Sequence, residues 1–233
     1  MDQNLESASA KGWWHSGKKI DRATGILAIS LCIYNLLFVM GAFSRLNIYI
    51  LSQQHKVLNL FVVIVILYLT DLFPAKKNLL KSMSNWIFLL MGMLPCIYIF
   101  VFYDTVVQHV SKMQPSTLEI VLFFMLLASL LEAARRKVGW PMALIALVFV
   151  FYAFKADIFP GVLFSRPLRL PRLVSSFYLS TDAIFSVPIG VASTTVAVFL
   201  VFACLLLYTG GGKFFIDLSM SLMGMFRGGP AKT

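Results

Sequence analysis

Six apolar runs, at 23–44, 55–73, 83–103, 117–134, 139–155 and 187–208, follow one another with only short polar intervals between most of them. A helix of about 20 such residues is about 30 Å long, the thickness of a bilayer's hydrocarbon core. Water offers no comparable home for them. Hydrophobic residues make up 59% of the 233 positions and charged residues 13%, beyond the balance of an ordinary soluble domain, in which just under half are apolar. The pattern predicts an all-α, polytopic membrane protein of about six transmembrane helices, with an interfacial linker and a C-terminal amphipathic helix. Its first partner is the lipid bilayer.

Each run carries its own signals. The first, ATGILAISLCIYNLLFVMGAFS, has no charge; the second reaches full length only by including Asn59 and Asp71. Pro95 lies inside the third, where it removes a backbone donor and predicts a kink whose freed carbonyl a neighbouring helix can serve. The fourth has its acids at the two ends, Glu119 and Glu132, which places them near the headgroups, and Glu132 can pair with Arg135 at i+3 or Arg136 at i+4. Trp140 and Tyr152 sit near the ends of the fifth as interface anchors. Residues 156–186 differ from all of these. Pro160, Pro167 and Pro171 alternate there with Arg166, Arg169 and Arg172, a mixture that suits the membrane surface and marks the main domain boundary. The expected organisation is a cytoplasmic tail at 1–22, a membrane unit at 23–155, an interfacial linker at 156–186 and a second unit opening at 187–233.

The net charge of +10 does not point to nucleic acid, because the basic residues sit in short clusters between apolar runs instead of lining one face or arm. Counted by side, thirteen of the 20 Lys and Arg fall on the side of the N-terminus. Positive charge concentrates in the cytoplasm, so the N-terminus is expected inside. The first run is followed by no small-x-small cleavage pattern and is expected to stay as an anchor.

No catalytic constellation is visible: no HExxH, no CxxC, and no Ser/His/Asp set outside the apolar runs. An enzyme is therefore not expected. Cys32, Cys96 and Cys204 each lie within an apolar run, as small hydrophobes do. His15, His55 and His109 have no second metal ligand at i+3 or i+4. TGGGKFF at 209–215 lacks the spacing of a phosphate loop; Gly210, Gly211 and Gly212 read better as a helix break, with a new helix beginning at another angle. In that new helix Asp217, Ser221, Gly224 and Gly228 share one stripe, and Phe214, Leu218, Leu222 and Met225 another. Packing through small residues outranks a direct ion or substrate contact for the first stripe. Asp182 and the pair Pro188 and Gly190 pose the same choice, with a helix start favoured. The residues left as candidates for substrate contact are Asp182, Pro188, Gly190, Asp217 and Ser221.

A family resemblance enters on these residues. Tyr178–Phe185 (YLSTDAIF), the Val-Pro-Ile-Gly-Val after it, Gly-Gly-Gly-Lys-Phe-Phe-Ile-Asp-Leu at 210–218 and Arg-Gly-Gly-Pro-Ala-Lys at 227–232 resemble the fused membrane subunits of tripartite ATP-independent periplasmic (TRAP) transporters of the TAXI type. Leu-Glu-Ala-Ala-Arg-Arg at 131–136, followed by Gly-Trp, is similar to that family's small-subunit-like portion. Asp182 stands where such relatives carry Glu, with the charge kept. The resemblance implies a secondary transporter of the prokaryotic inner membrane. In such a system a periplasmic substrate-binding protein delivers organic anions (carboxylates), a sodium or proton gradient drives symport, and no ATP or cofactor is used. It implies scaffold helices at 23–155 and the opening of an elevator-like transport portion at 187–233. In that family the segment after Arg-Gly-Gly-Pro-Ala-Lys leads into the hairpin that helps form the ion and substrate sites. Those sites are expected outside this chain, in a remaining part of the permease, without which the 233 residues are not expected to complete transport. The alternative reading is a non-transporting membrane scaffold or assembly protein.

Overall fold

A computed structural model describes residues 19–72, 79–158, 164 and 169–223. The polar tail up to residue 18, most of the linker between 159 and 168 with Pro160, Arg166 and Pro167, and everything from Gly224 on lie outside the described residues. Among the described residues there is no strand. The helices are α1 (Lys19–Val39), α2 (Ala42–Arg45), α3 (Ser52–Leu72), α4 (Leu79–Val101), α5 (Tyr103–Lys112), α6 (Thr117–Lys137), α7 (Trp140–Phe154), α8 (Leu170–Val174), α9 (Val187–Tyr208) and α10 (Gly211–Met223). Four of them contain apolar stretches long enough to cross a bilayer: Ser52–Thr70, Met83–Val101, Thr117–Lys137 and Val187–Tyr208. The chain is an all-α polytopic membrane protein.

Two of the six expected spans come out shorter. The first run ends as a helix at Val39, because Gly41 takes a left-handed backbone (φ 69°) that breaks the ladder before α2 begins. The fifth is the 15-residue α7, about 22 Å at 1.5 Å per residue and less than the hydrocarbon thickness. Gly139, at φ 115°, turns the chain from α6 directly into α7, so the two form an antiparallel hairpin with only Val138 and Gly139 between them.

The core sits where α3, α4 and α6 pack side by side. Ile64, Tyr68, Leu89, Ile99, Phe123 and Leu126 are all buried there. Gly92 sets the spacing: a Cβ at that position would lie 2.7 Å from Ser129 Oγ and 2.8 Å from Ile64 Cγ2, so only a glycine lets α4 approach its neighbours this closely. Pro95 sits inside α4, which runs through it to Val101.

The surface position expected for 156–186 holds only for part of the segment. Phe164, Arg169, Leu170 and Arg172 are exposed, but Leu173, Val174, Tyr178, Leu179 and Phe185 are fully buried. From Leu170 the chain winds as α8, widens into a π-helical turn at Ser175–Leu179 and inserts its apolar side against the bundle. Two polar contacts fasten it: Tyr178 donates to the carbonyl of Pro95 (2.8 Å), and Gln53 Nε2 to the carbonyl of Leu179 (2.6 Å). The reason is composition. Seven large apolar residues in the thirteen from Leu173 to Phe185 cannot be left at an interface when a helical groove is within reach.

Candidate functional site

Polar side chains inside an apolar bundle are costly unless partnered, so their placement shows where the fold has spent stability on something other than packing. They gather in two levels. One, near the start of α3, centres on His55, which is 2% exposed. Its Nδ1 is 3.1 Å from the Tyr34 hydroxyl of α1 and its Nε2 3.1 Å from Ser193 Oγ of α9. Ser193 also donates to the carbonyl of Gly190 (3.0 Å), and which ring nitrogen of His55 donates follows its tautomer. Phe38 stacks on the imidazole with ring centres 3.7 Å apart, and Asn59 donates back to the carbonyl of His55 (3.0 Å).

The chain of groups ties three helices together, joining Tyr34 of α1, His55 of α3 and Ser193 of α9. It also explains the backbone of α9: Ser193 and Thr194 both donate to the carbonyl of Gly190, and the helix widens into a π turn at Ala192–Val196, a feature frequent at functional sites.

A second group on the same level is built on Glu119. Expected near the headgroups, it is fully buried. Ser116 N donates to it at 2.7 Å within a capping box, Tyr98 donates at 3.1 Å, and His109 Nδ1 lies 2.9 and 3.0 Å from its two oxygens. The physical reason is that a carboxylate capping the first turn of α6 finds four contacts inside that it could not combine at the surface.

The opposite level holds Glu132, which pairs with both Arg135 and Arg136 (each with one contact at 2.6 Å). Arg136 also donates to Asn85 and lies over the rings of Tyr68 and Phe88, 5.5 and 5.9 Å from their centres. Tyr68 donates to the carbonyl of Ser129 (2.7 Å), and Ser129 to that of Phe88 (3.0 Å).

The residues singled out from sequence are not assembled into one place. Gly190 joins the His55 group through its carbonyl, with Lys56 Cε 3.1 Å from where a Cβ would stand. Pro188 is exposed in the first turn of α9. Asp182 is exposed too, and holds a local turn with Ser180 (2.9 and 3.1 Å). Asp217 and Ser221 are exposed on α10. Asp182 and Asp217 flank opposite ends of the 22-residue α9, so about 33 Å of helix separates them. Gly224 and Gly228 of the proposed stripe lie outside the described residues. Sequence reasoning missed His55. The available signal was Asn59 four residues on in an otherwise apolar run, a polar pair on one helix face that a membrane helix does not carry without use.

No curated protein and no solved structure gives a match to this chain. Residues 123–233, slightly under half of the chain, match a family model described as Tripartite ATP-independent periplasmic transporter, DctM component, which is a family of transporters and not of enzymes.

Proposed function

We propose that this chain is a membrane permease component of a binding-protein-dependent secondary transporter, taking up organic anions of the carboxylate class at the expense of a sodium or proton gradient. The observation that carries the reading is the DctM match over 123–233, on a chain whose long helices suit a bilayer. The geometry is consistent with it. The transport-side helix α9 is interrupted by a π turn, and Gly210 at φ 78° breaks the path between α9 and α10; discontinuous helices are the usual material of transport domains. In this reading residues 23–155 are scaffold of the fused, TAXI-type permease and 187–233 open the moving portion. The partners are a periplasmic binding protein and the remaining permease sequence. The membrane is the prokaryotic inner membrane, with the N-terminus in the cytoplasm.

The test is uptake of radiolabelled carboxylates into proteoliposomes that contain the chain, the remaining permease sequence and the cognate binding protein. Accumulation should need an inward sodium or proton gradient and should vanish when this chain is left out. Undiminished uptake without it would sink the proposal and leave a non-transporting scaffold as the better reading.

A further inference from the structure

The short helix α5 is held to the bundle by few contacts. It has ten residues, too short a helix to be stable in water on its own. Non-helical angles at Phe102 (φ −101°, ψ 38°) separate it from α4, and a left-handed Met113 (φ 51°) ends it. Val106 is its one buried residue, with Val110 half-buried against the core; Asp104, Thr105, Val107, Gln108, Ser111 and Lys112 are exposed. The remaining tie is polar. His109 sets Nδ1 against both oxygens of Glu119 (2.9 and 3.0 Å), with the His109 side chain 30% exposed and the Glu119 side chain fully buried.

This pair holds one proton between its two members, and a second can enter only at Nε2, which has no partner among the described residues. With that second proton the buried pair is neutral. Without it the pair keeps a negative charge in apolar surroundings, which is costly, and among the described residues no other basic side chain pairs with Glu119. Histidine is the side chain whose charge changes across the physiological range. The other titratable groups on the elements packed around the pair are Cys96 and Tyr98 of α4, Tyr178 of the inserted segment, Tyr152 and Lys155 closing α7, Arg172 of α8, and Tyr103, Asp104 and Lys112 of α5 itself. We infer that His109 and Glu119 form a proton-sensitive latch: α5 docks while Nε2 carries its proton and loosens when that proton leaves. Because α5 also packs on the π turn at Ser175–Leu179, the segment that leads into α9 falls under the same control. The inference stands apart from the transport proposal and holds for either topology.

Amide hydrogen exchange reads the latch directly. The full chain is placed in phosphatidylcholine nanodiscs, which open both faces to buffer, and rates are corrected for the intrinsic pH dependence of exposed amides. Between about pH 5 and pH 8, the range over which histidines titrate, protection across 103–112 should fall about tenfold in the parent, the margin of a charge-assisted hydrogen bond over a neutral one. Protection in α4 and α6 should hold. His109→Gln keeps a donor toward Glu119 but has no proton to lose, so its α5 should exchange at the parent's high-pH rate throughout. Glu119→Gln, which removes the buried charge from the other side, should also lack the fall and serves if the first variant disturbs folding. Asp104→Asn and Lys112→Gln should leave the parent's response in place. Flat protection in the parent would overturn the latch. A response that survives in His109→Gln would belong to another group and overturn it too. A fall shared equally by α4 and α6 would be loosening of the whole bundle, and would likewise overturn it.

Discussion

Glu119 and His55 are each buried in apolar surroundings, and each survives there by saturating its hydrogen-bonding capacity. Removing Glu119 strips a cap from α6 and leaves Tyr98, His109 and the Ser116 amide without their acceptor. Glu119→Ala should therefore destabilise the protein by about 3 kcal/mol, read as a lower midpoint of thermal unfolding in detergent; Glu119→Gln, which keeps the shape and an acceptor, should cost less. Ser193→Ala should cost about 1 kcal/mol, and its effect should be local: α9 loses its tie to His55, so amide exchange should rise in α9 while α4 and α6 stay protected. Little of this was legible beforehand. The spacing of Glu132 with Arg135 and Arg136 was readable because all three lie on one helix. His55 with Tyr34 and Ser193 was not, because it joins residues 21 and 138 positions apart, and one sequence carries no mark of such a meeting.

Among the elements, length was read well where the apolar run itself sets it, and poorly where a glycine does. α3, α4, α6 and α9 fall close to their predicted bounds. The first run looked continuous through Gly41, since hydropathy does not register a left-handed backbone. Residues 170–186 were misjudged for a different reason. Prolines and arginines dominate the composition of the stretch around them, whereas burial is decided by Leu173, Val174, Tyr178, Leu179 and Phe185. Two glycines offer opposite tests. Gly92→Ala puts a methyl group into Ser129 and Ile64 and should cost about 1–3 kcal/mol by overpacking, measured by thermal unfolding. At Gly210 a Cβ meets nothing within 4 Å, so Gly210→Ala pays only for its left-handed backbone, about 1–2 kcal/mol. Turning α10 relative to α9 relieves that strain, so the substitution should appear as a changed angle between the two helices in spin-label distances, with the midpoint of unfolding moved less than by Gly92→Ala.

At the scale of the whole molecule, helix directions alternate so that Tyr98, Glu119, His55 and Ser193 share one end of the bundle and Tyr68, Asn85, Glu132 and Arg135 the other. If the N-terminus is cytoplasmic, as proposed, the first end faces the outside of the membrane. A cysteine at Lys112 should then react with an impermeant maleimide added outside intact cells, and one at Lys137 only after the membrane is opened; the reverse pattern would invert the topology. The all-α membrane class needed nothing beyond the apolar runs. The proposed division between a scaffold and a moving portion came from family likeness alone, and the contact of His55 with Ser193 joins α3 to α9 across the stretch where it was drawn.

The 15-residue α7 bears on the lipid around it. With Trp140 held at one headgroup layer, its far end at Phe154 stops about 8 Å short of the other, given a hydrocarbon core of about 30 Å. A span that short is met by a locally thinner bilayer or by the exposed Lys155 reaching its amine up to water. Membranes built from shorter acyl chains should therefore hold this flank at lower elastic cost than thick ones.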